Sequence, residues 1–374
     1  MNASSWQRAE RILCIRLDYL GDVLMTTPAI RALRDTLPGR HITLLTSGSG
    51  AAVARYIPQI DDTIVYPAPW LKSSAAHDRG EDFAMIERLA AGRYDAAVIF
   101  TVYSQNPMPA AMMCYLAGIP LRLAHCRENP YQMLTDWVRE TEPESGVRHE
   151  VQRQLDLVAA VGARPLDTRL SLQVEDADRR AVRERLGAMG IAPGSRWIAI
   201  HPGATAASRR YPPELFRQVA AALLAQQDCQ LVFTGGGDEA PLVEQIRSGL
   251  PRTHSLAGML QLGELAALLA EAPLLISNNT GPAHMAAALG TPLVDLYALT
   301  NPQHTPWQVR SKVLYQEVDC AFCYKSACPH GHNRCLTDVR PARVVAAAHE
   351  LLQGGGSAAA ATGIVRLAGA IRAA

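Results

Sequence analysis

A short apolar strand that ends in small and polar residues and runs straight into a helix occurs near both ends of this chain. Near the start, Arg11-Ile-Leu-Cys-Ile-Arg-Leu17 leads through Asp18-Tyr19-Leu20-Gly21-Asp22 into Val23-Leu24-Met25-Thr26. Near the end, Leu274-Leu275-Ile276-Ser277 leads through Asn278-Asn279-Thr280-Gly281 into Pro282-Ala283-His284. Free backbone N–H groups and the helix dipole converge at such a turn, which makes it a natural seat for anions and phosphates. Two of them, far apart in sequence, predict two nucleotide-fold domains facing each other across one cleft.

The rest of the chain repeats the pattern. Strand candidates at 12–17, 42–46, 63–66 and 95–100 alternate with helical stretches at 21–36, 51–56 and 82–91. A second series follows, with strands at 197–201, 230–234, 274–277 and 292–297 and helices near 213–225, 239–249, 263–270 and 282–289. Alternation of this kind means a parallel sheet covered on both faces by helices, an α/β doubly wound class. Between the two series, 165–173 reads as a link with a short strand and 176–190 as a highly charged helix. The region 106–157 is less regular and rich in aromatic residues and arginines. These features divide the chain into an amino-terminal domain (1–172), a carboxy-terminal domain (173–353) holding a cysteine-rich segment (320–335), and a low-complexity tail (354–374) with a surface helix at 364–371.

At 374 residues the chain has room for two cores, and 48% apolar with 19% charged residues is ordinary for a globular protein. Lysine plus arginine total 36 against 35 acidic residues, which gives no electrostatic case for nucleic-acid binding. The first twenty residues lack the parts of a secretory signal. The stretch 108–124 comes nearest to a spanning helix, but two prolines, a glycine and Arg122 interrupt it. The expectation is a cytoplasmic enzyme that works at a membrane surface.

Five constellations can carry chemistry. Asp22 opens a helix, where the dipole favours its ionised form. It suits a base for a sugar hydroxyl, or simply a cap for orphan amides, and Asp18 on the same turn competes for either role. Gly203 and Thr205 follow the strand ending at His201, and Arg209-Arg210 precede the Pro212-Pro213 helix start. Arginines there would neutralise a diphosphate leaving group, and a solvated loop is equally compatible. Gly235-Gly236-Gly237-Asp238-Glu239 allows backbone contact with a nucleotide, with an acidic residue to meet a ribose. Thr280, Gly281 and His284 form the phosphate turn described above. Finally Cys320, Cys323, Cys328 and Cys335, with His330 and His332 among them, resemble a small metal knuckle, a structural zinc or iron site. The alternative is four thiols ordered by the fold alone.

Taken in order, Leu20-Gly21-Asp22 through Thr27-Pro28-Ala29, the His201-Pro-Gly-Ala block with Arg209-Arg-Tyr-Pro-Pro, and Ser277-Asn-Asn-Thr-Gly-Pro-Ala-His284 resemble glycosyltransferase family 9, the ADP-heptose:lipopolysaccharide heptosyltransferases. The resemblance spans about residues 11–352. It implies the GT-B architecture, two Rossmann-like domains with acceptor in the first and nucleotide-sugar donor in the second. It also implies inversion at the anomeric carbon without a catalytic metal or other cofactor. Asp22 takes the place of the family's base, and Arg209 that of a donor-binding lysine. Asn279, Thr280, Gly281 and His284 fall on the donor cradle, where many members carry aspartate at the position of Asn279.

The implied function is transfer of a heptose, or a related sugar, from an ADP-sugar to a lipopolysaccharide inner-core acceptor. Arg122 and Arg127 are then candidates for acceptor phosphates, with transient contact to the inner membrane. Two other readings stay open. One is a different GT-B enzyme such as a nucleotide-sugar epimerase. The other is a protein-modifying heptosyltransferase, since some such relatives bind iron through a cysteine finger of wider spacing.

Overall fold

The computed structural model describes residues 3–71, 77–226 and 228–354. Most of the expected tail, including its helix at 364–371, lies outside them. The chain divides into two compact units, one built on residues up to Ser171 and the other beginning at Leu172.

In the first unit six parallel strands line up as β3-β2-β1-β4-β5-β6: β1 Arg11–Arg16, β2 His41–Thr46, β3 Asp62–Val65, β4 Ala96–Ile99, β5 Leu121–Cys126 and β6 Asp136–Arg139. The second unit repeats the plan as β12-β11-β10-β7-β8-β9: β7 Trp197–His201, β8 Gln230–Phe233, β9 Thr253–Ser255, β10 Leu275–Asn278, β11 Leu293–Leu296 and β12 Ser311–Leu314. The central strands are near-continuous apolar runs with every residue of β4, β7, β10 and β11 buried. Helices cover both faces, so no strand needs a polar side. In each sheet the chain starts in the middle, winds one way, then returns to the other side of its first strand. The order reverses between β1 and β4 and between β7 and β10. Ligands of such sheets bind outside the carboxyl ends of the strands at that reversal.

The helix after β1, Leu20–Thr36, carries a proline in its interior. Pro28 has no N–H for the Leu24 carbonyl four residues back. The Thr27 hydroxyl donates to that carbonyl instead, at 2.6 Å, and accepts the Ser171 N–H at 2.9 Å. One side chain therefore repairs the helix and holds the end of the unit.

Three expectations need correction. The irregular region contains β5, β6 and the helices Met108–Leu116 and Glu150–Ala159. Charged residues inside its strands (Arg122, Asp136, Arg139) mask the apolar pattern. The edge strands β9 and β12 were also unmarked, being only three and four residues long. The link at 165–173 forms no strand pairing. It is held by Arg31, whose Nη1 donates to the carbonyls of Asp167 and Arg169 at 2.7 and 2.9 Å.

Thr27→Val keeps the shape and removes the hydroxyl, leaving the Leu24 carbonyl and the Ser171 N–H buried without partners. The variant should lose about 1–3 kcal/mol of stability, read as a lower denaturation midpoint of the first unit at unchanged secondary structure.

Candidate functional site

At the reversal in the first unit, β1 ends in Arg16 and the chain turns through Asp18 into the helix that bears Asp22. Arg16 is fully buried, and three carboxylates surround it. Its Nη1 donates to Glu150 Oε1 at 2.8 Å and its Nη2 to Asp22 Oδ1 at 3.2 Å, while Nε lies 2.9 Å from Asp18 Oδ2. Asp22 Oδ2 also accepts the Tyr19 N–H at 3.2 Å, so Asp22 caps its own helix with one oxygen and meets Arg16 with the other. Its side chain keeps 17% exposure. Burial pushes the Asp22 carboxyl up to about 6, Arg16 opposes the shift, and the charges of Asp18 and Glu150 add to it. Asp18 is more fully committed, because its Oδ1 also accepts from Gln105 Nε2 at 2.6 Å.

Beside this cluster lies a cavity of about 270 Å³ lined by Asp18, Trp70, Ser104, Gln105 and Asn106 among others. A second, of about 240 Å³, shares Ser104, Gln105 and Asn106 and adds Arg127 and His125. Burial and the nearby Arg153 push His125 down to about 3, so it is neutral at physiological pH. Arg127 is half-exposed and lines this cavity, with Nη2 donating to the Glu142 and Tyr103 carbonyls at 2.6 and 3.4 Å and Nη1 pairing with Glu144 at 3.3 Å. Arg122 does not fit the acceptor role expected of it. It is buried, and its guanidinium binds the carbonyls of Ile119, Pro120, Gln132 and Met133. Its task is to close the loops around β5.

At the reversal in the second unit, Asn278 ties the two turns together. Its Nδ2 donates to the Pro202 carbonyl at 2.7 Å and its Oδ1 accepts the Tyr211 N–H at 3.1 Å. The helix Gly281–Leu289 starts there, with Thr280 as its extended N-cap and the Thr280 hydroxyl turned to the Asn278 carbonyl at 3.3 Å. Among the described residues no acceptor meets the Thr280 and Gly281 amides. His284 is buried one turn on. Arg209 stands on a single 3-10 turn, Ala207–Arg209. That turn is braced from the cysteine-rich segment: Ser208 donates its N–H to Ser326 and its hydroxyl to Lys325, at 3.0 and 2.8 Å. The Arg209 guanidinium makes no hydrogen bond or ion pair among the described residues.

Asn279 is not turned outward as the donor role requires. Its Nδ2 donates to Asp295 Oδ2 at 3.0 Å and to the His304 carbonyl at 2.9 Å. Asp295, which the sequence did not single out, is fully buried on β11. Burial pushes it up to about 7, against the Asn279 hydrogen bond and the charge of Arg209. Gly203 leaves room for the Glu239 carboxylate, since a Cβ there would stand 1.9 Å from Glu239 Oε1 and push that side chain away. Glu239 spends its other oxygen on the Gly236 N–H, at 2.8 Å, while Asp238 and Thr205 are exposed. Cys320, Cys323, Cys328 and Cys335 lie near enough to act on one another's charge, but no three cysteine, histidine or acidic side chains among the described residues stand together as a metal would need. Cys320 Sγ lies 3.9 Å from His332 Nε2, and the rings of His330 and His332 stack on each other. A cavity of about 1370 Å³ in this unit opens near Gly194, Trp197 and Cys229 at the amino ends of β7 and β8, away from these residues.

The family profile for glycosyltransferase family 9 (heptosyltransferase) matches residues 83–333. The chain belongs to glycosyltransferase family 9. It is 26% identical to lipopolysaccharide heptosyltransferase 2 of Escherichia coli K12 over 356 residues, covering 91% of this chain and 98% of that one. Its fold is similar to a family 9 glycosyltransferase from Veillonella parvula, with a TM-score of 0.79 at 24% identity over 92% of this chain and 98% of that one. It is likewise similar to E. coli ADP-heptose lps heptosyltransferase II, with a TM-score of 0.72 at 23% identity over 92% and 99% of the two chains. The α/β GT-B fold and a glycosyltransferase activity follow from membership.

Asp295 gives a pH signature for this site. Its ordinary value of 3.8 in an unfolded chain rises to about 7 on folding. The folded state therefore loses stability as pH climbs between those values, and the loss is complete above the upper one. Asp295→Asn carries no such charge. Its stability should match the wild type at about pH 3.5 and exceed it by on the order of 1–4 kcal/mol at about pH 8, seen as a Tm difference that grows with pH. A difference independent of pH would remove the charge from the account.

Proposed function

We propose that this family 9 enzyme transfers a heptose, or a closely related sugar, from an ADP-sugar to a lipopolysaccharide inner-core acceptor, with inversion and with Asp22 as the base. The observation that carries the reading is the Asp22 carboxyl. It stands at the strand-order reversal, keeps partial exposure, and is pushed up to about 6. Such a group is ionised at neutral pH yet still basic enough to take a proton. The acceptor hydroxyl gives its proton to Asp22 while its oxygen bonds to the anomeric carbon, and the bond to ADP breaks on the opposite face. The relatives supply the substrates in name: one is a lipopolysaccharide heptosyltransferase and one an ADP-heptose lps heptosyltransferase.

Charge gathers on the departing diphosphate. The uncommitted Arg209 guanidinium and the Thr280 and Gly281 amides are suited to take it, with His284 beside them. Preorganised donors of this kind stabilise a leaving group without reorganisation, and no catalytic metal is needed in this scheme. Arginine in place of a lysine offers a planar fork to two phosphate oxygens at once. Arg127 and the cavity it lines suit the acceptor. Membrane contact fits a lipid-linked acceptor and the exposed Met112, Tyr115 and Leu116 on the helix whose first residue, Met108, lines that cavity. No helix among the described residues is long and apolar enough to cross a membrane.

Two variants test the assignment. Asp22→Asn should lower turnover by about a thousandfold while leaving ADP-heptose affinity within about twofold of wild type, by single-turnover kinetics and calorimetry. Retained turnover would sink the base. Arg209→Ala should weaken ADP-heptose binding by about ten- to a hundredfold, and unchanged affinity would remove Arg209 from the phosphate site. Calorimetry against UDP- and GDP-sugars on the same protein fixes the donor base.

A further inference from the structure

The three carboxylates around Arg16 are more than one guanidinium balances. With all of them ionised, the cluster carries two uncompensated negative charges in a largely buried place, which folding alone does not favour. The partners are also unequal. Asp18 is held a second time by Gln105, and Asp22 by the Tyr19 N–H. Glu150 is the most deeply buried of the three, with Oε1 taking both Arg16 Nη1 and Gln154 Nε2, at 2.8 and 2.7 Å. Its Oε2 is buried and meets no donor among the described residues. An orphan carboxylate oxygen beside a shared cation is costly.

Other charges near Asp22 are spoken for. On the helix Glu150–Ala159, Arg153 turns to Glu140 and Glu142, and Asp156 pairs with Arg148 at 2.8 Å. On β1, Arg11 faces the far end of the strand. The helix Gly48–Ala54, which packs on the same helix as Asp22, has no titratable side chain. His149, buried at the start of the helix Glu150–Ala159, accepts the Val151 N–H at 3.2 Å. Arg16, Asp18 and Glu150 are the charges that act most strongly on Asp22.

We propose that Arg16 is the positioning residue of Asp22 and that Glu150, by drawing on the same guanidinium, sets how basic Asp22 is. Arg16 aims Asp22 Oδ1 through Nη2 and leaves Oδ2 to the helix amide, so the carboxylate has one fixed orientation. Glu150 dilutes the positive charge that reaches it. Burial and Asp18 already raise the proton affinity of Asp22 against Arg16, and Glu150 adds to them, so without Glu150 Asp22 would be a weaker base. With it, the base keeps that affinity at neutral pH. The inference rests on the reading of Asp22 as the base, and neither Arg16 nor Glu150 touches substrate in this account.

The experiment is the pH dependence of kcat/KM for ADP-heptose and a soluble core acceptor, measured on wild type, Glu150→Gln, Arg16→Lys and Asp22→Asn. Glu150→Gln keeps the shape and removes the charge, so the acid limb should move to lower pH. At about pH 5 its activity relative to its own plateau should rise about fivefold over wild type. Arg16→Lys loses the fork that reaches Asp22, and its acid limb should move to higher pH. A merely structural Glu150 would scale activity by the same factor at every pH, and an unmoved limb in Glu150→Gln overturns the proposal. Should that variant fail to accumulate, the direction of the shift in Arg16→Lys decides alone: an upward limb supports the proposal, and an unmoved or lowered one overturns it. Turnover in Asp22→Asn would instead defeat the underlying base assignment. An inactive Asp22→Asn with an unmoved Glu150→Gln limb defeats this inference alone.

Discussion

Parallel strands cannot be joined by tight turns, and that constraint governs both halves of this molecule. Every connection must cross back along a face of the sheet, and each sheet begins at its centre. Where the crossings part to opposite faces, backbone at the strand ends has no neighbour to bury it. β1 and β4 leave such an opening in one unit, β7 and β10 in the other. Asp18 and Asp22 sit at the first, and Asn278, Thr280 and Arg209 belong to the second. The chemistry stands where the topology leaves polar backbone uncovered.

The two openings solve opposite electrostatic problems. In the first unit a buried cation gathers three acids, so each carboxylate competes for a limited positive charge. In the second, one buried acid, Asp295, is supported by an amide and by a more distant arginine. Both carboxyls end with raised proton affinity, but for different reasons: Asp22 by burial against shared charge, Asp295 by burial with little compensation. Only Asp22 keeps contact with solvent, which is why the two are not interchangeable as bases.

The sequence was most legible where strand and helix periods were clean. The first four strands of the chain and the four central strands of its second half stand within a residue or so of their expected places, since long apolar runs leave little choice of register. Ordered motifs also carried the family. What was hidden shares one cause: a polar or charged side chain satisfied inside the protein rather than by solvent. Arg122 inside β5 looks like a surface arginine until four carbonyls are found around it. Asn279 looks like a ligand contact until its amide is seen turned to Asp295. Glu150, distant from Arg16 in sequence, gave no pattern to read, although a lone arginine closing an apolar strand signals that some acid must meet it. The cysteine spacing suggested a metal, whereas this segment's visible contribution is the pair of carbonyls that brace Ser208 and hence the turn of Arg209.

Gly203 and Glu239 carry a final consequence. The space that a side chain at 203 would fill is already taken by the carboxylate from 239, which is itself tied to the Gly236 amide. The two positions therefore share a single volume. A methyl at 203 would require the Glu239 carboxylate to swing away or a shorter residue at 239, and either releases the Gly236 amide in the glycine loop after β8. Among relatives these sites should change as a pair, with the length of one read against the bareness of the other.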